Sequence, residues 1–393
     1  MKILVICQHY YPENFTIYKI AEQLVKDGHE VDVLTGKPNY GYEYILPEYK
    51  NINEETINGV HVFRVNLYPR KKGRLSIIRN YLSFWRNSKK WVRKCKKEYD
   101  VVYSMNLSPI TMCSAGNIYK KKHDVRHIIH CLDLWPESVV ITKAVKRNSL
   151  MYKILYKWSK KIYAGADQIL VGSPSFKDYF ADVLKLKTDN ISYVPQCSLV
   201  ENTDVTPFNY GKGLHILYCG NLGLVQLIPL ITESMELVLK EKKDIYFHII
   251  GMGPMSDFLK DDIKKRGLEN NVIYHGPMNA NMAASYFKNA DALYVSLSQE
   301  GALGKTIPNK LMMSMVFAKP IIGVLQGDGR KVLQDAGGAL LADETPESLK
   351  AAIIALSNMN EKEKARLGEL NKLYYNDHFS CESVVREIEK HLK

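Results

Sequence analysis

The sequence contains no long hydrophobic run. No stretch of its 393 residues approaches the roughly 20 consecutive apolar residues that cross a bilayer as a helix. Residues 1–7 place one lysine before a short apolar run, without the small-residue cleavage site of a signal peptide. We therefore expect neither export nor a membrane-spanning helix, and we expect this run to form a first strand.

Paired cysteine motifs are also missing. The seven cysteines are scattered, with no C-x-x-C pair and no cysteine–histidine spacing typical of a zinc site. An odd number of isolated thiols in a long chain is typical of the reducing cytoplasm. We assign these thiols no chemistry and predict a cytoplasmic location.

Acidic residues are absent from residues 70–97, which hold twelve lysines and arginines. This excess equals the net charge of the whole chain, +12. Apolar and aromatic residues interrupt the segment partly at helical spacing, and a basic amphipathic helix of this kind favours an anionic membrane surface. The alternative is a solvated helix whose apolar stripe packs on the sheet. No nucleic-acid partner is expected, because no helix-turn-helix, RNA-binding or zinc-finger signature is present.

A chain of this length exceeds what one hydrophobic core usually serves, so two domains are expected. In the first half, short apolar runs alternate with amphipathic segments, which predicts a mostly parallel sheet covered on both faces. The predicted helices span residues 17–26, 77–97 and 151–164. The predicted strands span residues 2–7, 30–34, 60–65, 101–104, 127–130, 168–171 and 191–194.

Residues 200–213 are polar and contain Pro207 and Gly211, which predicts a linker between residues 1–199 and residues 214–370. The alternation then restarts. The predicted strands span residues 214–218, 246–250, 272–274, 292–296, 320–324 and 339–341, and the predicted helices residues 228–240, 255–266, 282–288, 309–317 and 346–355. The fold class is α/β, with two Rossmann-like domains whose strand ends are expected to face a ligand-binding cleft.

Glycine-rich turns follow two strands of the second half. Gly220, Asn221 and Gly223 follow the first strand, and Gly251 and Gly253 follow the next. Glycines at a strand-to-helix turn let backbone N–H groups approach an anion, and a helix dipole favours phosphate there. A turn that needs glycine for its conformation alone is the alternative.

Residues 298–310 combine two glycines, Pro308 and two lysines between a predicted strand and a predicted helix. A diphosphate there meets backbone N–H groups, with Lys305 and Lys310 as counter-charges. The alternative is a capped helix with solvated lysines. We favour the anion site because these features coincide at the carboxyl end of one strand.

Carboxylates and aromatic residues follow two strands of the first half, namely Glu13, Asp133, Trp135 and Glu137. Aromatic faces stack on sugar rings and carboxylates bind hydroxyls, so this set suits a carbohydrate. A buried tryptophan and helix-capping carboxylates are the alternative for each residue taken alone. These residues by themselves do not identify acid–base catalysis.

Nine short segments, in their order and spacing, resemble glycosyltransferase family 4 in its bacterial O-antigen, capsule and colanic-acid branch. The segments are residues 11–15, 28–31, 34–40, 133–138, 172–176, 194–196, 220–223, 275–276 and 307–310. The resemblance runs nearly end to end. It implies a GT-B fold, with the donor nucleotide in the C-terminal domain, the acceptor on the N-terminal domain, and a final helix, residues 371–393, that crosses back.

The same resemblance implies a retaining transfer from a nucleotide sugar to a polyprenyl-diphosphate-linked saccharide or another glycan. The donor is expected to be UDP-linked, with an N-acetylated amino sugar among the candidates. No metal or other cofactor is implied, because backbone amides and basic side chains stabilise the leaving diphosphate. The protein is then expected at the inner face of the cell membrane.

The resemblance also assigns site residues. The expected donor-binding residues are Gly220, Asn221, Gly223, Gly251, Gly253, Met278, Thr306, Pro308, Asn309 and Lys310, with Met278 beside the base. The expected catalytic residues are Asp133, Glu13 and Lys305, and the expected acceptor-binding residues are Asn14, Phe15, Trp135 and Glu137.

One departure from the family bears on the donor. The family commonly has two glutamates eight positions apart, the second of which binds the ribose, and those positions here are Lys305 and Met313. A methionine cannot accept the ribose hydrogen bond, and Glu300 is out of register. Another group then binds the ribose, the donor differs, or the chain is a non-catalytic accessory subunit of a transferase complex. A UDP-sugar 2-epimerase on the same fold is a further alternative, which the basic helix disfavours.

Overall fold

The computed structural model describes residues 1–141, 144–198, 205–298 and 306–393. The chain divides into two compact units, residues 1–199 with 381–393, and residues 200–380. Each unit is built on one largely parallel sheet with helical connections. This confirms the predicted α/β fold with two Rossmann-like domains.

The sheet of the first unit has the order β3-β4-β2-β1-β5-β6-β7-β8. Neighbouring strands are parallel except for β3, which pairs antiparallel with β4 at the edge. The strands are β1 Lys2–Ile6, β2 Glu30–Gly36, β3 Glu54–Ile57, β4 Val60–Val65, β5 Val101–Asn106, β6 Arg126–Cys131, β7 Gln168–Val171 and β8 Ile191–Tyr193. The strand order changes direction between β1 and β5, which makes this pair the topological switch point.

Helices of the first unit cover both faces of this sheet. They are α1 Ile17–Lys26, α2 Arg74–Lys94, α3 Ser114–His123, α4 Glu137–Ile141, α5 Leu150–Tyr163 and α6 Phe176–Asp182. Helix α1 buries Ile17, Ile20, Ala21 and Leu24, the spacing of one helical face. Because parallel crossovers are right-handed, α2, α3 and α5 lie on the face opposite α1.

The second unit has a six-stranded, fully parallel sheet with the order β11-β10-β9-β12-β13-β14. The strands are β9 Leu214–Cys219, β10 Ile245–Ile250, β11 Val272–Gly276, β12 Ala292–Ser296, β13 Ile321–Val324 and β14 Ala339–Leu341. The helices are α7 Ile228–Val238, α8 Ser256–Lys265, α9 Ala280–Asn289, α10 Asn309–Met315, α11 Gly327–Ala336, α12 Pro346–Ser357 and α13 Glu361–His378. The switch point lies between β9 and β12.

The last helix, α14 (Cys381–Glu389), belongs to the first unit. Its Val384, Val385 and Ile388 enter the same core cluster as α1, and His29 Nε2 lies 2.8 Å from Glu389 Oε1. Residues 371–378, which we expected in this returning segment, belong instead to α13 of the second unit. The return therefore begins at Cys381, where the helix breaks.

Several elements differ from the sequence prediction. Helices α3, α4, α6 and α11, strand β3 and residues 361–370 of α13 were not predicted, and α2 covers Arg74–Lys94 rather than residues 77–97. The described part of the linker packs on the second unit, since the Phe208 ring stacks 4.0 Å from the Tyr286 ring.

Among the described ranges, every helix falls short of the length and apolarity that crossing a bilayer demands.

Candidate active site

The predicted donor residues of the second unit follow adjacent parallel strands. Gly220 and Gly223 follow β9, Gly251 and Gly253 follow β10, and Met278 follows β11. Carboxyl ends of parallel strands share one edge of the sheet, and ligands of such sheets bind at the switch point. Hydrogen bonds join the two sides of that point: the Ser296 hydroxyl donates to the Gln226 carbonyl at 2.8 Å. The structure thus places these residues on the edge where a ligand is expected.

Lys310 crosses this edge from the first turn of α10. Its Nζ donates to the Tyr218 hydroxyl and to the Asn221 carbonyl, the latter at 3.3 Å, and lies 4.4 Å from the centre of the Tyr218 ring. Burial lowers the pKa of the Lys310 amine to about 8, against a smaller opposing effect of Cys219. Its amine is therefore a partly desolvated cation fixed over the turn that follows β9.

The glycines of the two turns have a packing role. A Cβ at Gly251 or Gly253 would collide with the backbone of Gly220 or Leu222. The close approach allows Gly220 N–H to donate to the Ile250 carbonyl at 2.9 Å and Leu222 N–H to the Met252 carbonyl at 3.0 Å. Gly223 N–H donates to Gln226 Oε1 at 3.0 Å. We expected backbone N–H groups here to be open to phosphate; these three are already engaged, and donor contact by the glycines stays a prediction.

The segment before α10 is only partly described. Lys305 and Glu300 lie outside the described residues. Pro308 precedes α10 as its N-cap residue. Asn309 Oδ1 is buried and has no hydrogen-bond partner among the described residues. Asn309 lies one turn before the half-buried Met313, so both side chains project from the same side of α10.

Met278 is half-buried and packs against the core beneath β11 and α9. A row of histidines crosses the neighbouring strands: His215 Nδ1 lies 3.1 Å from His248 Nε2, and His248 Nδ1 lies 3.0 Å from His275 Nε2. Burial lowers the pKa of all three imidazoles, that of His248 to about 3. These lowered pKa values keep the three imidazoles neutral. The row ends at His275 on β11, the strand that Met278 follows.

At the corresponding edge of the first unit, Glu13 is 7% exposed and fully engaged. Its Oε1 accepts the N–H groups of Asn39 at 2.6 Å and Tyr40 at 2.5 Å, and its Oε2 lies 2.8 Å from His9 Nδ1. An ionised carboxylate only accepts hydrogen bonds, so His9 carries its proton on Nδ1. His9 Nε2 is buried without a partner among the described residues, and Phe15 stacks on the ring at 4.8 Å.

Arg70 adds a cation to this edge. Its guanidinium carbon lies 5.0 Å from the centre of the Tyr40 ring and 5.6 Å from that of Tyr81, and its Nη1 donates to the Tyr81 hydroxyl at 3.3 Å. Asn39 Oδ1 accepts the Arg70 backbone N–H at 3.0 Å. Within the part of the chain that the structure describes, no carboxylate forms an ion pair with Arg70. An anionic ligand can therefore use its remaining N–H donors.

Asp133 follows β6 and is partly buried beside β5. The Ser108 hydroxyl donates to Asp133 Oδ2 at 3.0 Å. Burial raises the pKa of Asp133, and the Ser108 hydrogen bond opposes this effect. Asp133 lies at the carboxyl end of β6, the neighbour of the switch-point strand β5. A carboxyl group with a raised pKa at this position is suited to interact with a hydroxyl group of a ligand. Asn14, by contrast, is exposed and reaches solvent.

Trp135 and Glu137 are engaged in packing. Trp135 is 5% exposed and donates its Nε1–H to Ser108 Oγ at 2.9 Å, so the indole presents no open face to a sugar. The Tyr152 hydroxyl donates to Glu137 at 2.7 Å, and Arg147 pairs with the other oxygen. Their contacts match the packing alternative, and acceptor binding by them stays a prediction.

Sequence reasoning missed His9, Arg70 and Tyr218 as individual site residues. His9 follows β1, but its pairing with Glu13 at helical spacing i, i+4 is formed in a turn and not in a helix. Arg70 begins the basic run and was assigned to a membrane surface. Tyr218 was counted as a core strand residue, although its hydroxyl reaches the Asn221 carbonyl at 2.5 Å. Polar residues at strand ends are the signal that finds His9 and Tyr218, whereas Arg70 lies in the connection between β4 and α2.

Each of the two units matches a known protein-family model. The model described as Glycosyltransferase Family 4 matches residues 14–197, and the model described as Glycosyl transferases group 1 matches residues 202–372. The two matches follow one another along the chain and divide it near the boundary between the two units. The chain is a family 4 glycosyltransferase. It therefore transfers a sugar, and its two units form the GT-B fold.

The glycosyltransferase is similar to the probable glycosyltransferase WbjE of Pseudomonas aeruginosa, with 28% identity over 49% of this chain and 50% of that protein. The match thus spans about half the length of that relative. Among solved structures, sucrose-phosphate synthase of Thermosynechococcus elongatus has a TM-score of 0.74 at 15% identity and covers 99% of this chain and 98% of that one. HepE of Anabaena in complex with UDP has a TM-score of 0.70 at 12% identity, covering 100% and 99%. These two likenesses show the fold.

Within the described residues, histidines, cysteines and carboxylates form no group of three or more that could hold a metal ion. The expectation that the glycosyltransferase needs no metal or other cofactor stays a prediction. Its assignments of individual residues to donor and acceptor likewise remain predictions.

Proposed function

We propose that this glycosyltransferase takes a sugar from a UDP-linked donor and adds it to a saccharide carried on a polyprenyl diphosphate, in the synthesis of a surface polysaccharide. The observation that carries the donor assignment is the position of Lys310 at the switch point between β9 and β12. Solved proteins of the same fold support it, because HepE was crystallised with UDP.

The partners of Lys310 support a phosphate ligand. Its hydrogen bonds go to a phenol and a carbonyl, and no described carboxylate forms an ion pair with it. Its charge is thus not neutralised within the described protein. A diphosphate would supply the missing counter-charge, and a charge-assisted hydrogen bond of this kind contributes about 1.5–3 kcal/mol.

Asn309 can take the place of the glutamate that binds the ribose in other family members. Its buried Oδ1 lacks a partner among the described residues, and it stands four positions before Met313 on the same side of α10. An amide oxygen accepts a hydroxyl hydrogen bond as a carboxylate does, although without its charge. We assign the ribose hydroxyl to Asn309 in place of the residue at position 313.

The first unit supplies the acceptor groups in this proposal. Asp133 and the His9–Glu13 pair lie at the ends of β6 and β1, and Arg70 offers guanidinium donors at the same edge. A sugar on a polyprenyl diphosphate carries hydroxyls and two phosphates. We assign the hydroxyls to Asp133 and His9 Nε2, and a phosphate to Arg70.

In the proposed reaction the acceptor hydroxyl attacks the anomeric carbon on the face that UDP vacates. The bond from the anomeric carbon to the β-phosphate oxygen breaks, a new carbon–oxygen bond forms, and a donor phosphate oxygen takes the hydroxyl proton. The configuration is retained. Lys310 stabilises the negative charge that develops on the leaving diphosphate.

The donor assignment is tested by calorimetric titration of UDP into the protein and into Lys310→Ala. We expect 10- to 100-fold weaker binding, from the loss of one charge-assisted hydrogen bond. Lys264→Ala removes an exposed lysine of α8 and serves as the control. Equal UDP affinity of Lys310→Ala and Lys264→Ala would show that Lys310 does not bind UDP.

The complete activity is tested with labelled UDP-sugars and a polyprenyl-diphosphate saccharide, by counting label in the lipid extract. Transfer with one of the sugars supports the proposal. UDP binding without transfer, together with stimulation of a second transferase by this chain, favours the accessory-subunit alternative that Met313 raises. Interconversion of the donor sugar without any acceptor favours the epimerase alternative.

A lipid-linked acceptor requires the glycosyltransferase to work at the membrane. We propose that the basic segment of residues 70–97, which contains α2, attracts it to an anionic membrane at the cytoplasmic face. Cations near such a surface each favour binding by about 1 kcal/mol. The excess of twelve cations over acidic residues in this segment supports the proposal.

A further inference from the structure

Helix α2 carries two apolar stripes. One stripe, which includes Phe84 and Val92, is buried against the first unit. The other contains Leu75, Ile78, Leu82 and Trp85 at helical spacing and faces outward, with Leu75 72% exposed. A helix that only packs on a sheet needs the first stripe alone.

Helix α5 repeats this arrangement. Its Tyr152, Ile162 and Tyr163 are buried, whereas Leu150, Met151, Ile154 and Trp158 are exposed on the other side. Leu150 is 77% exposed. The helix also carries four lysines and no acidic residue. Sequence reasoning about residues 70–97 did not include this helix.

The outward stripes of α2 and α5 meet at a pair of tryptophans. The rings of Trp85 and Trp158 stack with their centres 6.0 Å apart and their planes at 18°. Lys89 Nζ lies 3.9 Å above the Trp85 ring. Beside this pair is a groove of about 840 Å³ between α2, α3 and α5, whose lining includes Lys89, Lys121 and Lys161.

We call this surface the α2–α5 face, defined by Leu75, Ile78, Leu82, Trp85, Leu150, Met151, Ile154, Trp158 and the groove lysines Lys89, Lys121 and Lys161. Seven of the exposed large apolar side chains of the described residues lie on it. Single exposed apolar residues are common, but a group of them on two helices that meet at Trp85 and Trp158 indicates an interaction surface. Its two helices carry eleven cations and no anion.

We propose that the α2–α5 face docks on an anionic phospholipid bilayer, with a headgroup phosphate in the lysine-lined groove and both apolar stripes in the interfacial layer. The inference rests on the proposed function, which places the acceptor in a membrane. It adds a second helix and a phosphate-binding groove to the basic segment of α2.

The chemistry of the face distinguishes a bilayer from other occupants. A second copy of the chain pairing through this face would bring eleven cations against eleven cations, which repel. Nucleic acid offers phosphates but gives exposed leucine and isoleucine side chains no apolar partner. A bilayer interface supplies both anionic headgroups and hydrocarbon, and tryptophan favours that boundary.

The first experiment is vesicle flotation with phosphatidylcholine alone and with phosphatidylcholine containing phosphatidylglycerol. We expect flotation with the anionic vesicles, no flotation with the neutral ones, and a blue shift of tryptophan fluorescence on binding. The chain has four tryptophans, so Trp85→Phe/Trp158→Phe should remove most of this shift. Equal flotation with both kinds of vesicle, no flotation with either, or an unchanged shift in the double variant overturns the proposal.

The second experiment removes three groove cations with Lys89→Gln/Lys121→Gln/Lys161→Gln. The matched control Lys243→Gln/Lys264→Gln/Lys265→Gln removes the same charge from exposed lysines of the second unit. We expect partitioning onto anionic vesicles to fall on the order of 100-fold in the groove variant and only severalfold in the control. Equal losses in the two variants contradict docking through the groove.

The two proposals can fail separately. Calorimetric UDP binding by the groove variant should match the parent, because the substitutions lie in the first unit and the donor residues in the second. If the parent binds anionic vesicles through the groove but transfers no sugar to a lipid acceptor, the proposed function fails and the docking surface stands. If transfer occurs in detergent and the groove variant still floats like the parent, only the docking surface fails.

Discussion

Lys310 occupies the space that a side chain at Gly220 would need. The Cε, Nζ and Cδ atoms of Lys310 are the nearest neighbours of a Cβ placed on Gly220, and Gly220 itself has a φ of +151°. The glycine thus serves the turn in two ways: it adopts a backbone conformation that other residues avoid, and it leaves room for the lysine stem. The donor cation and the glycine turn form one structural unit.

Gly220→Ala should therefore weaken both stability and donor binding. The unfavourable φ costs about 1–3 kcal/mol of unfolding free energy, and the new methyl group displaces Lys310. Gly267→Ala is the matched control, because Gly267 also has a positive φ, +66°, but has no neighbour near its Cβ position. We expect both variants to melt earlier and only Gly220→Ala to lose UDP affinity, measured by calorimetry. Similar UDP affinities would show that the position of Lys310 is irrelevant to the donor.

Donor binding should weaken above pH 8. Burial lowers the pKa of Lys310 to about 8, so its amine loses its charge, and the attraction for phosphate, as the pH rises through that value. Lys310→Arg keeps its charge throughout this range and should shift the loss to higher pH. UDP titrations between pH 6.5 and 9.5 measure both curves. A parent curve that is flat up to pH 9.5 contradicts the assignment.

The histidine row should make stability fall in mild acid. Burial and the neighbouring imidazoles lower the pKa of His248 from 6.5 to about 3, so the unfolded state binds the proton more readily. Stability is then lost as the pH falls from about 6.5 toward 3, by about 2 kcal/mol between pH 7 and pH 5. His248→Gln should show a smaller drop in melting temperature over this interval, measured by scanning calorimetry. The exposed His378→Gln should keep the parental drop, and the same slope in all three proteins would refute the role of His248.

Glu13→Gln should impair acceptor use without affecting donor binding. The glutamine amide would donate to His9 Nδ1, which moves the imidazole proton to Nε2 and removes the acceptor lone pair assigned to a sugar hydroxyl. We expect kcat with the lipid-linked acceptor to fall about 2- to 10-fold, the contribution of one hydrogen bond between neutral groups. UDP affinity should stay unchanged. The control is Glu22→Gln, which replaces a partly exposed carboxylate of α1 that accepts a hydrogen bond from Asn58. Equal kcat in both variants would exclude the His9–Glu13 pair from the reaction.

The elements predicted correctly share a strong local pattern. Strands such as β1 and β10 are nearly continuous apolar runs, with His248 as the exception in β10, because both faces of a parallel sheet are buried. Helix α1 repeats apolar residues at i, i+3, i+4 and i+7. Three of the elements that were missed have weak local signals: α3 contains Ser, Gly and Asn, α11 begins Gly-Asp-Gly, and β3 is a four-residue edge strand paired only with β4.

The candidate site divides in the same way. Strand-end motifs predicted which loops meet at the sheet edge, since a parallel sheet brings all its carboxyl ends together. They did not predict which atoms remain unpaired there. Trp135 and Glu137 were expected at the acceptor but pack in the interior, whereas His9 and Arg70, which we did not single out, have hydrogen-bonding capacity that no described residue uses.

The sequence by itself determined the family, the two α/β units and the concentration of positive charge in residues 70–97, because these depend on composition, period and local order along the chain. Only the tertiary structure decided that Lys310 lies over Tyr218, that Glu13 binds His9 and the Asn39–Tyr40 turn, and that α5 completes a surface with α2. Each of these contacts joins residues from different strands and helices. Their distances depend on how strands pair and helices pack, which no local pattern in the sequence contains.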